Sequence, residues 1–248
     1  MTLPYKDFYY PLNVFAHILT LEEGAIGDLH YGLFERAGEP IALAQMRSTD
    51  LLLSRLPSPP ARLLDVGCGL GTTLRRLIAL GCDAEGIAAD DKQAAFTRGL
   101  PVHQTRFEDF ASDHPYDAIF FQESSQYIES DALFARAKAL TRRVIVLDEF
   151  AVSPVGALHR YDDFVRAAAA HGFGIVEEID VSQQAAPTID YFLARLPRYR
   201  ETLLRDLALT SQHIDDLIRG GGEYRENYRS GAYVYRLLQL QRKPVENR

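Results

Sequence analysis

The sequence predicts a doubly wound α/β protein: a seven-stranded sheet with helices on both faces, an aromatic N-terminal helical cap and a late helical insertion. Three observations predict it. Strand-like and helix-like segments alternate from residue 61 to residue 181, which implies parallel strands joined by right-handed helical crossovers. The apolar run at 61–66 passes abruptly into a helix-compatible segment at Thr72 through Gly67, Gly69 and Gly71. A final β-prone run at 232–241, Ala-Tyr-Val-Tyr-Arg-Leu-Leu-Gln-Leu-Gln, supplies a last strand.

The first 40 residues are aromatic-rich and glycine-punctuated, with Tyr5, Phe8, Tyr9, Tyr10, Phe15, Tyr31 and Phe34. Leu43, Met46, Leu51, Leu52 and Leu53 suit an amphipathic helix over 41–56, ended by Pro57, Pro59 and Pro60. The strands are expected at 61–66, 84–88, 100–103, 116–121, 143–147 and 174–179. Helices are expected at 72–80, from 91 to 96, at 131–140 and at 161–171, the first stopped by Gly81 and the last by Gly172. The segment 189–219 has helical apolar spacing through Phe192, Leu193, Leu196, Leu203, Leu204 and Leu207, with a break at Pro197. Gly220-Gly221-Gly222 then separates it from the last strand.

The chain has 248 residues, 47% hydrophobic and 25% charged, as in an ordinary globular protein. A net charge of -7 argues against a nucleic-acid backbone as partner. No apolar run approaches the roughly 20 residues that span a bilayer, and the N-terminus has no charged-then-apolar signal pattern. Cys68 and Cys82 have neither metal-ligand spacing nor a disulfide framework and read as small buried residues, so a reducing cytoplasm is the expected compartment.

The chemistry concentrates in Leu63-Leu-Asp-Val-Gly-Cys-Gly-Leu-Gly-Thr-Thr73. Glycines between a strand and a helix let a ligand approach bare backbone, and the helix start offers N–H groups and a positive dipole end. Asp65 adds an acceptor at the strand end. A molecule carrying an anion, a cation and a flat ring suits such a place, and S-adenosylmethionine is one. A nicotinamide fingerprint requires glycine at position 72, which is threonine, and no Gly-Lys-Ser/Thr marks a P-loop.

Residues 41–181 with the last strand resemble the class I S-adenosylmethionine-dependent methyltransferases, in particular the small-molecule group of the ubiquinone and tocopherol methyltransferases. The resemblance rests on Asp65-Val-Gly67-Cys-Gly69-Leu-Gly71, on His30-Tyr31-Gly32-Leu33-Phe34, on Glu123-Ser124-Ser125-Gln126-Tyr127-Ile128 and on His171-Gly172-Phe173 before the sixth strand. It implies a Rossmann-like methyltransferase fold with S-adenosylmethionine as cofactor and S-adenosylhomocysteine as product. It implies that Asp65, Gly67, Gly69 and Gly71 face the methionine moiety, with Thr72 and Thr73 toward its carboxylate. Phe107 and Glu108 fall where adenine is held, and Glu123 and Ser124 near the transferred methyl. His30 and Tyr31 belong to the lid. The whole chain reads as one methyltransferase domain, with a cap at 1–40, a cofactor-binding core at 41–188, the insertion at 189–222 and the last strand and tail at 223–248.

Three places depart from the family's pattern, one of them Gln126-Tyr127, where the family often has a histidine after the fourth strand. Ala88 stands where an acid usually holds the ribose. Asp90 or Asp91 reaches the ribose in its place, or caps the next helix. Arg106 stands where an adenine-binding acid or amide is common. Methyl transfer from a sulfonium is an in-line displacement, so a base is needed only for an acceptor with a tightly held proton. His30, Tyr31, Glu149 and His159 are the catalytic candidates. Glu149, expected just after the fifth strand, binds substrate or pairs with a surface arginine. His103, His114, His171 and His213 read as structural or exposed. A metal site would require Glu123, Asp148 and Glu149 to converge, and none is predicted. The insertion roofs a substrate pocket or forms a homodimer interface. The expected activity is methyl transfer to a small-molecule acceptor in a biosynthetic pathway, to oxygen before nitrogen or carbon. The rival reading is a non-catalytic S-adenosylmethionine-binding partner that keeps the fold.

Overall fold

The computed structural model describes residues 3–242. The tail expected after the last strand lies outside the described residues. In chain order the helices are α1 (Leu12–Glu23), α2 (Ile41–Leu53), α3 (Thr72–Ala79), α4 (Ser130–Leu140), α5 (Tyr161–Ala170), α6 (Ser182–Ala185), α7 (Pro187–Arg198), α8 (Arg200–Leu207) and α9 (Ser211–Arg229). The strands are β1 (Arg62–Val66), β2 (Asp83–Ile87), β3 (Val102–His103), β4 (Ala118–Gln122), β5 (Arg143–Ala151), β6 (Phe173–Asp180) and β7 (Tyr233–Arg242). They form one seven-stranded sheet of order β3-β2-β1-β4-β5-β7-β6. The chain divides into two compact units: Thr49–Val181 with Tyr233–Arg248, which holds the sheet, and Met1–Ser48 with Ser182–Ala232, which is helical.

In the sheet unit β1 to β5 pair in parallel, and β7 runs antiparallel between β5 and β6. The central strands are covered on both faces, which is why Ala118–Phe121 of β4 and Val144–Leu147 of β5 read as unbroken apolar runs rather than alternating ones. α4 buries Leu133, Phe134, Ala137 and Leu140, the i, i+3, i+4 stripe of a core-facing helix. Phe134 meets Phe164 of α5 at 5.0 Å and Phe173 of β6 at 5.6 Å between ring centroids. The strand order reverses between β1 and β4, since β1 pairs on one side with β2 and on the other with β4. Ligands of such sheets bind beyond the carboxyl ends of the strands at this switch.

Several expected boundaries are corrected. The helix expected from 91 to 96 is a single 3₁₀ turn, Asp91–Gln93, because the backbone there closes i−3 bonds, Ala94 N to Asp91 O and Phe96 N to Gln93 O, in place of the i−4 bonds of an α-helix. β5 does not stop at Leu147. It continues through Asp148 and Glu149 to Ala151, drawn out by antiparallel pairing with β7 that ends at Ala151 opposite Tyr233. Glu149 is therefore a strand residue opposite Tyr235, not part of a following loop.

The helical unit packs Val14, Ile18 and Leu19 of α1 against Tyr191 and Leu196 of α7, Leu203 and Leu207 of α8 and Ile214 of α9. The helices α7 and α8 meet at Tyr199 rather than at Pro197, which is tolerated inside the last turn of α7. Gly220, Gly221 and Gly222 do not break the chain either; α9 runs through them to Arg229, so 223–229 is helix and not the approach to a strand. A Cβ at Gly221 would lie 2.7 Å from Leu193 Cδ2, so the missing side chain lets α9 lie close on α7. Among the described residues no helix is long and apolar enough to cross a membrane.

Candidate functional site

The glycine segment forms the turn that its spacing suggests. Asp65 is buried at the end of β1, and the chain then folds back so that the N–H groups of Gly67 and Cys68 both donate to Ile87 O, at 2.9 and 3.0 Å. Gly67, Gly69 and Gly71 all have φ between 52° and 76°, a region costly for residues with a Cβ. Gly67 has a second reason to be glycine: a Cβ there would overlap the Cβ of Ser124. Gly69 has space around it, its virtual Cβ meeting nothing nearer than 3.5 Å, so its requirement is the backbone angle alone. Cys68 is buried in this turn. Burial, and then the Asp65 charge, push its thiol well above its ordinary range, which suits a packing residue rather than a nucleophile.

Gly71 is the N-cap of α3, whose first residues are Thr72 and Thr73. Thr72 is half-buried. Thr73 is buried, and its hydroxyl donates to Gln122 Oε1 at 3.1 Å, so it ties α3 to the end of β4. Gln122 in turn donates to Thr49 Oγ1 at 3.3 Å. Of the two roles open to Asp90, the cap is present: its Oδ1 accepts from Lys92 N at 2.9 Å. Phe107 is a core residue, its ring set edge-on to Phe121 at 5.4 Å, so its side chain is taken up in packing. Glu108 pairs with Arg106. Partial burial pushes its carboxyl up, but backbone hydrogen bonding and the guanidinium prevail and hold it below the usual range.

Beyond β4 the chain makes a second tight feature. Glu123 has φ 55°, a left-handed conformation unusual for a residue with a side chain. It is held at both ends: its N–H donates to Leu147 O at 3.0 Å, and Tyr235 Oη of β7 donates to its Oε1 at 2.6 Å. Ser124 Oγ donates to Val66 O, beside the glycine turn. A 3₁₀ turn follows at Ser125–Tyr127. Asp148, 1% exposed, accepts on Oδ2 from Ser125 N (3.0 Å) and Ser125 Oγ (2.6 Å), and on Oδ1 from Glu149 N (2.9 Å). Burial pushes its carboxyl up to about 6, against the pull of those donors and of His159.

His159 lies in the same network. Its Nε2 stands 3.0 Å from Ser125 O and 2.9 Å from Ile128 O. Both partners are carbonyls, so Nε2 carries the proton and donates. His159, expected as a candidate base, uses Nε2 as a clamp on the loop and not as a base. Gln126 completes the set, donating to Glu149 O and accepting from His159 N at 2.9 Å. Ser125, Gln126, Asp148 and Tyr235 were absent from the sequence-based site. The readable signals are the Glu123–Ile128 stretch, which contains Ser125 and Gln126, and Asp148, an acid closing the apolar run Val144-Ile-Val-Leu147.

His30 and Tyr31 lie in the helical unit. His30 Nδ1–H donates to Tyr31 O at 2.9 Å, and Nε2 stands 3.6 Å from Asp28. The segment is pinned by Gln45, whose amide donates to Asp28 O and His30 O, and by Gly32 N, which donates to Thr188 Oγ1. Four of the other histidines have structural partners: His17 bonds Tyr5 and Asp206, His103 pairs with Glu85, His171 with Asp131, and His213 closes the capping box of α9. Among the described residues no group of three His, Cys, Asp or Glu side chains is arranged to hold a metal ion.

No family model and no curated sequence matches the chain. Solved structures do. A cyclopropane synthase from Mycobacterium tuberculosis superposes with TM-score 0.77 at 18% identity, covering 96% of both chains. The geranyl diphosphate C-methyltransferase of Streptomyces coelicolor A3(2), solved with Mg²⁺, geranyl diphosphate and S-adenosylhomocysteine, gives 0.67 at 19% identity over 98% of this chain and 99% of its own. The fold is that of the class I S-adenosylmethionine-dependent methyltransferases. Within this methyltransferase fold the chemistry varies: the cyclase SpnF superposes with TM-score 0.75 at 21% identity, covering 92% of both chains. The fold therefore sets the place of a site but leaves the reaction to particular residues.

Proposed function

We propose that the protein is an S-adenosylmethionine-dependent methyltransferase acting on a small-molecule acceptor. The observation that carries this reading is the glycine turn. Three left-handed glycines lie between a buried strand-end carboxylate and the start of α3, beside the point where the sheet order reverses. A neighbour of the same fold was solved with S-adenosylhomocysteine.

The residues present fit the methionine end of the cofactor. Asp65, Gly67, Gly69 and Gly71 would hold it, with Thr72 and the amides of the first turn of α3 toward its carboxylate. Thr73 acts one step back, fixing α3 to Gln122. The adenosine end would be held by the backbone at Phe107, by Glu108 and by Asp90, whose Oδ1 keeps its capping bond. When bound, S-adenosylmethionine supplies a methyl group already activated by the sulfonium. The chain's task is then to orient the acceptor and exclude water. Glu123, fixed by Tyr235, and Ser124 border the place of transfer, with Glu149 on the acceptor side. We favour oxygen as the acceptor atom because a fixed carboxylate at Glu123 can take the proton that a hydroxyl must lose.

Titration calorimetry with S-adenosylhomocysteine tests the first step. We expect micromolar binding that Asp65→Ala weakens by tenfold or more; absence of binding to the wild-type protein overturns the reading. Ala88, where the family has an acid, favours the non-catalytic alternative. Binding without release of S-adenosylhomocysteine on any of a broad panel of hydroxylated, amino and carboxylated metabolites would decide for it.

A further inference from the structure

We propose that Asp148 is a positioning residue. It holds the Ser125–Tyr127 turn so that Ser124 stays seated against Gly67 of the glycine turn. The inference rests on the cofactor reading above and adds to it a second set of residues on which cofactor affinity depends.

A carboxylate 1% exposed is costly to bury unless donors surround it. Asp148 has three, and two come from one residue: the N–H and O–H of Ser125, itself fully buried, both reach Oδ2. One carboxylate oxygen therefore fixes both the backbone and the side chain of Ser125. The rest of the turn is fixed from the same side. His159 Nε2 donates to Ser125 O and Ile128 O, while Gln126 bridges Glu149 O and His159 N. The end of β5 and the segment before α5 thus grip the turn through side chain and backbone together.

The grip is transmitted in one residue. Ser124 precedes Ser125, donates to Val66 O and occupies the space that a Cβ at Gly67 would need. Glu123, one residue earlier, is held in its left-handed conformation by Leu147 O and Tyr235. A turn released from Asp148 would let Ser124 leave the glycine turn. The amides of Gly67 and Cys68 would then lose the packing that keeps their conformation.

The experiment measures S-adenosylhomocysteine affinity by calorimetry in wild type, Ser125→Ala, Asp148→Asn and the double variant. Hydrogen exchange over residues 118–130 is followed in each. Leu240→Val, a core change on β7 opposite Val144 and so at the other end of β5 from Asp148, serves as a comparison of general destabilisation. We expect Ser125→Ala and Asp148→Asn each to weaken binding roughly tenfold, the loss of one charge-assisted hydrogen bond. Exchange should quicken from Glu123 to Ile128. The double variant should bind no more weakly than the weaker single one, because both changes break the same link. Leu240→Val should leave affinity within twofold.

Should wild type bind and the Ser125 and Asp148 variants match Leu240→Val, the positioning role is overturned while the cofactor reading stands. Additive losses in the double variant would overturn it as well. Failure of wild type to bind sinks the cofactor reading and this inference with it. Ser125→Ala, which only deletes an oxygen, keeps the test decisive if Asp148→Asn does not fold.

Discussion

At the scale of single residues, the glycine turn separates two requirements that a motif merges. Gly67 must be glycine for its positive φ and for the space that Ser124 fills, whereas Gly69 meets only the first demand. Gly67→Ala should therefore cost about 2–4 kcal/mol, strain plus overlap, and Gly69→Ala about 1–2 kcal/mol, strain alone. Urea unfolding of the two variants checks the order; equal losses would show that Ser124 yields freely. Asp148 gives a residue-scale prediction in pH. Its folded value, about 6, lies above the ordinary 3.8, because burial disfavours the charge more than Ser125, Glu149 and His159 favour it. The folded state thus binds the proton more tightly. The stability that follows is fully present below pH 4 and is lost as the pH rises through 6, about 3 kcal/mol in all. Asp148→Asn cannot titrate there. Its stability relative to wild type should rise by about that amount between pH 4 and pH 7.5. A pH-independent difference between the two proteins would contradict a buried, titrating Asp148. The glycines and Asp65 were legible because each obeys a local rule. The roles of Ser125 and Tyr235 were not, because their partners, Asp148 and Glu123, lie 23 and 112 residues away.

At the scale of elements, the strands were legible wherever both faces are covered. The run at 118–121 is apolar throughout and needs no neighbour to be recognised. β5 was read four residues short because Asp148 and Glu149 resemble a loop in sequence; only the antiparallel partner β7 shows that they are strand. The glycine run failed for the opposite reason. Local propensity makes Gly220-Gly221-Gly222 a break, at about 1 kcal/mol per glycine relative to alanine, yet α9 continues through it. Packing overrides propensity here, and Gly221 shows how, since its bare backbone faces Leu193. Gly222 has no atom within 4 Å of its virtual Cβ and a helical φ. Gly222→Ala should accordingly stabilise the protein by about 0.5–1 kcal/mol. Gly221→Ala should give less or none, its propensity gain offset by displacement of Leu193. Thermal melting of both variants measures this, and a larger gain at position 221 would mean that the contact with Leu193 is soft.

At the scale of the whole molecule, the architecture was legible as a sequence of alternating elements, but not the grouping of its additions. The N-terminal segment and the late helices read as separate pieces. In the structure they are one unit, because Val14 and Ile18 share a core with Leu203 and Leu207, a contact between residues some 190 apart that no local pattern encodes. The same scale carries the test that separates the cofactor reading from its nicotinamide rival. A ligand that binds only the folded chain stabilises it by RT ln(1 + [L]/Kd), about 2.7 kcal/mol at a hundredfold excess over Kd. For a chain of this size that amounts to a rise in Tm of roughly 5–8 °C. S-adenosylhomocysteine should produce such a shift and NADH none, since Thr72 stands where the nicotinamide fingerprint has its third glycine. Asp65→Ala should cut the shift to about half or less while leaving the unliganded protein folded. A shift with NADH and none with S-adenosylhomocysteine would reverse the assignment, and a S-adenosylhomocysteine shift that Asp65→Ala leaves undiminished would move the binding site away from the glycine turn.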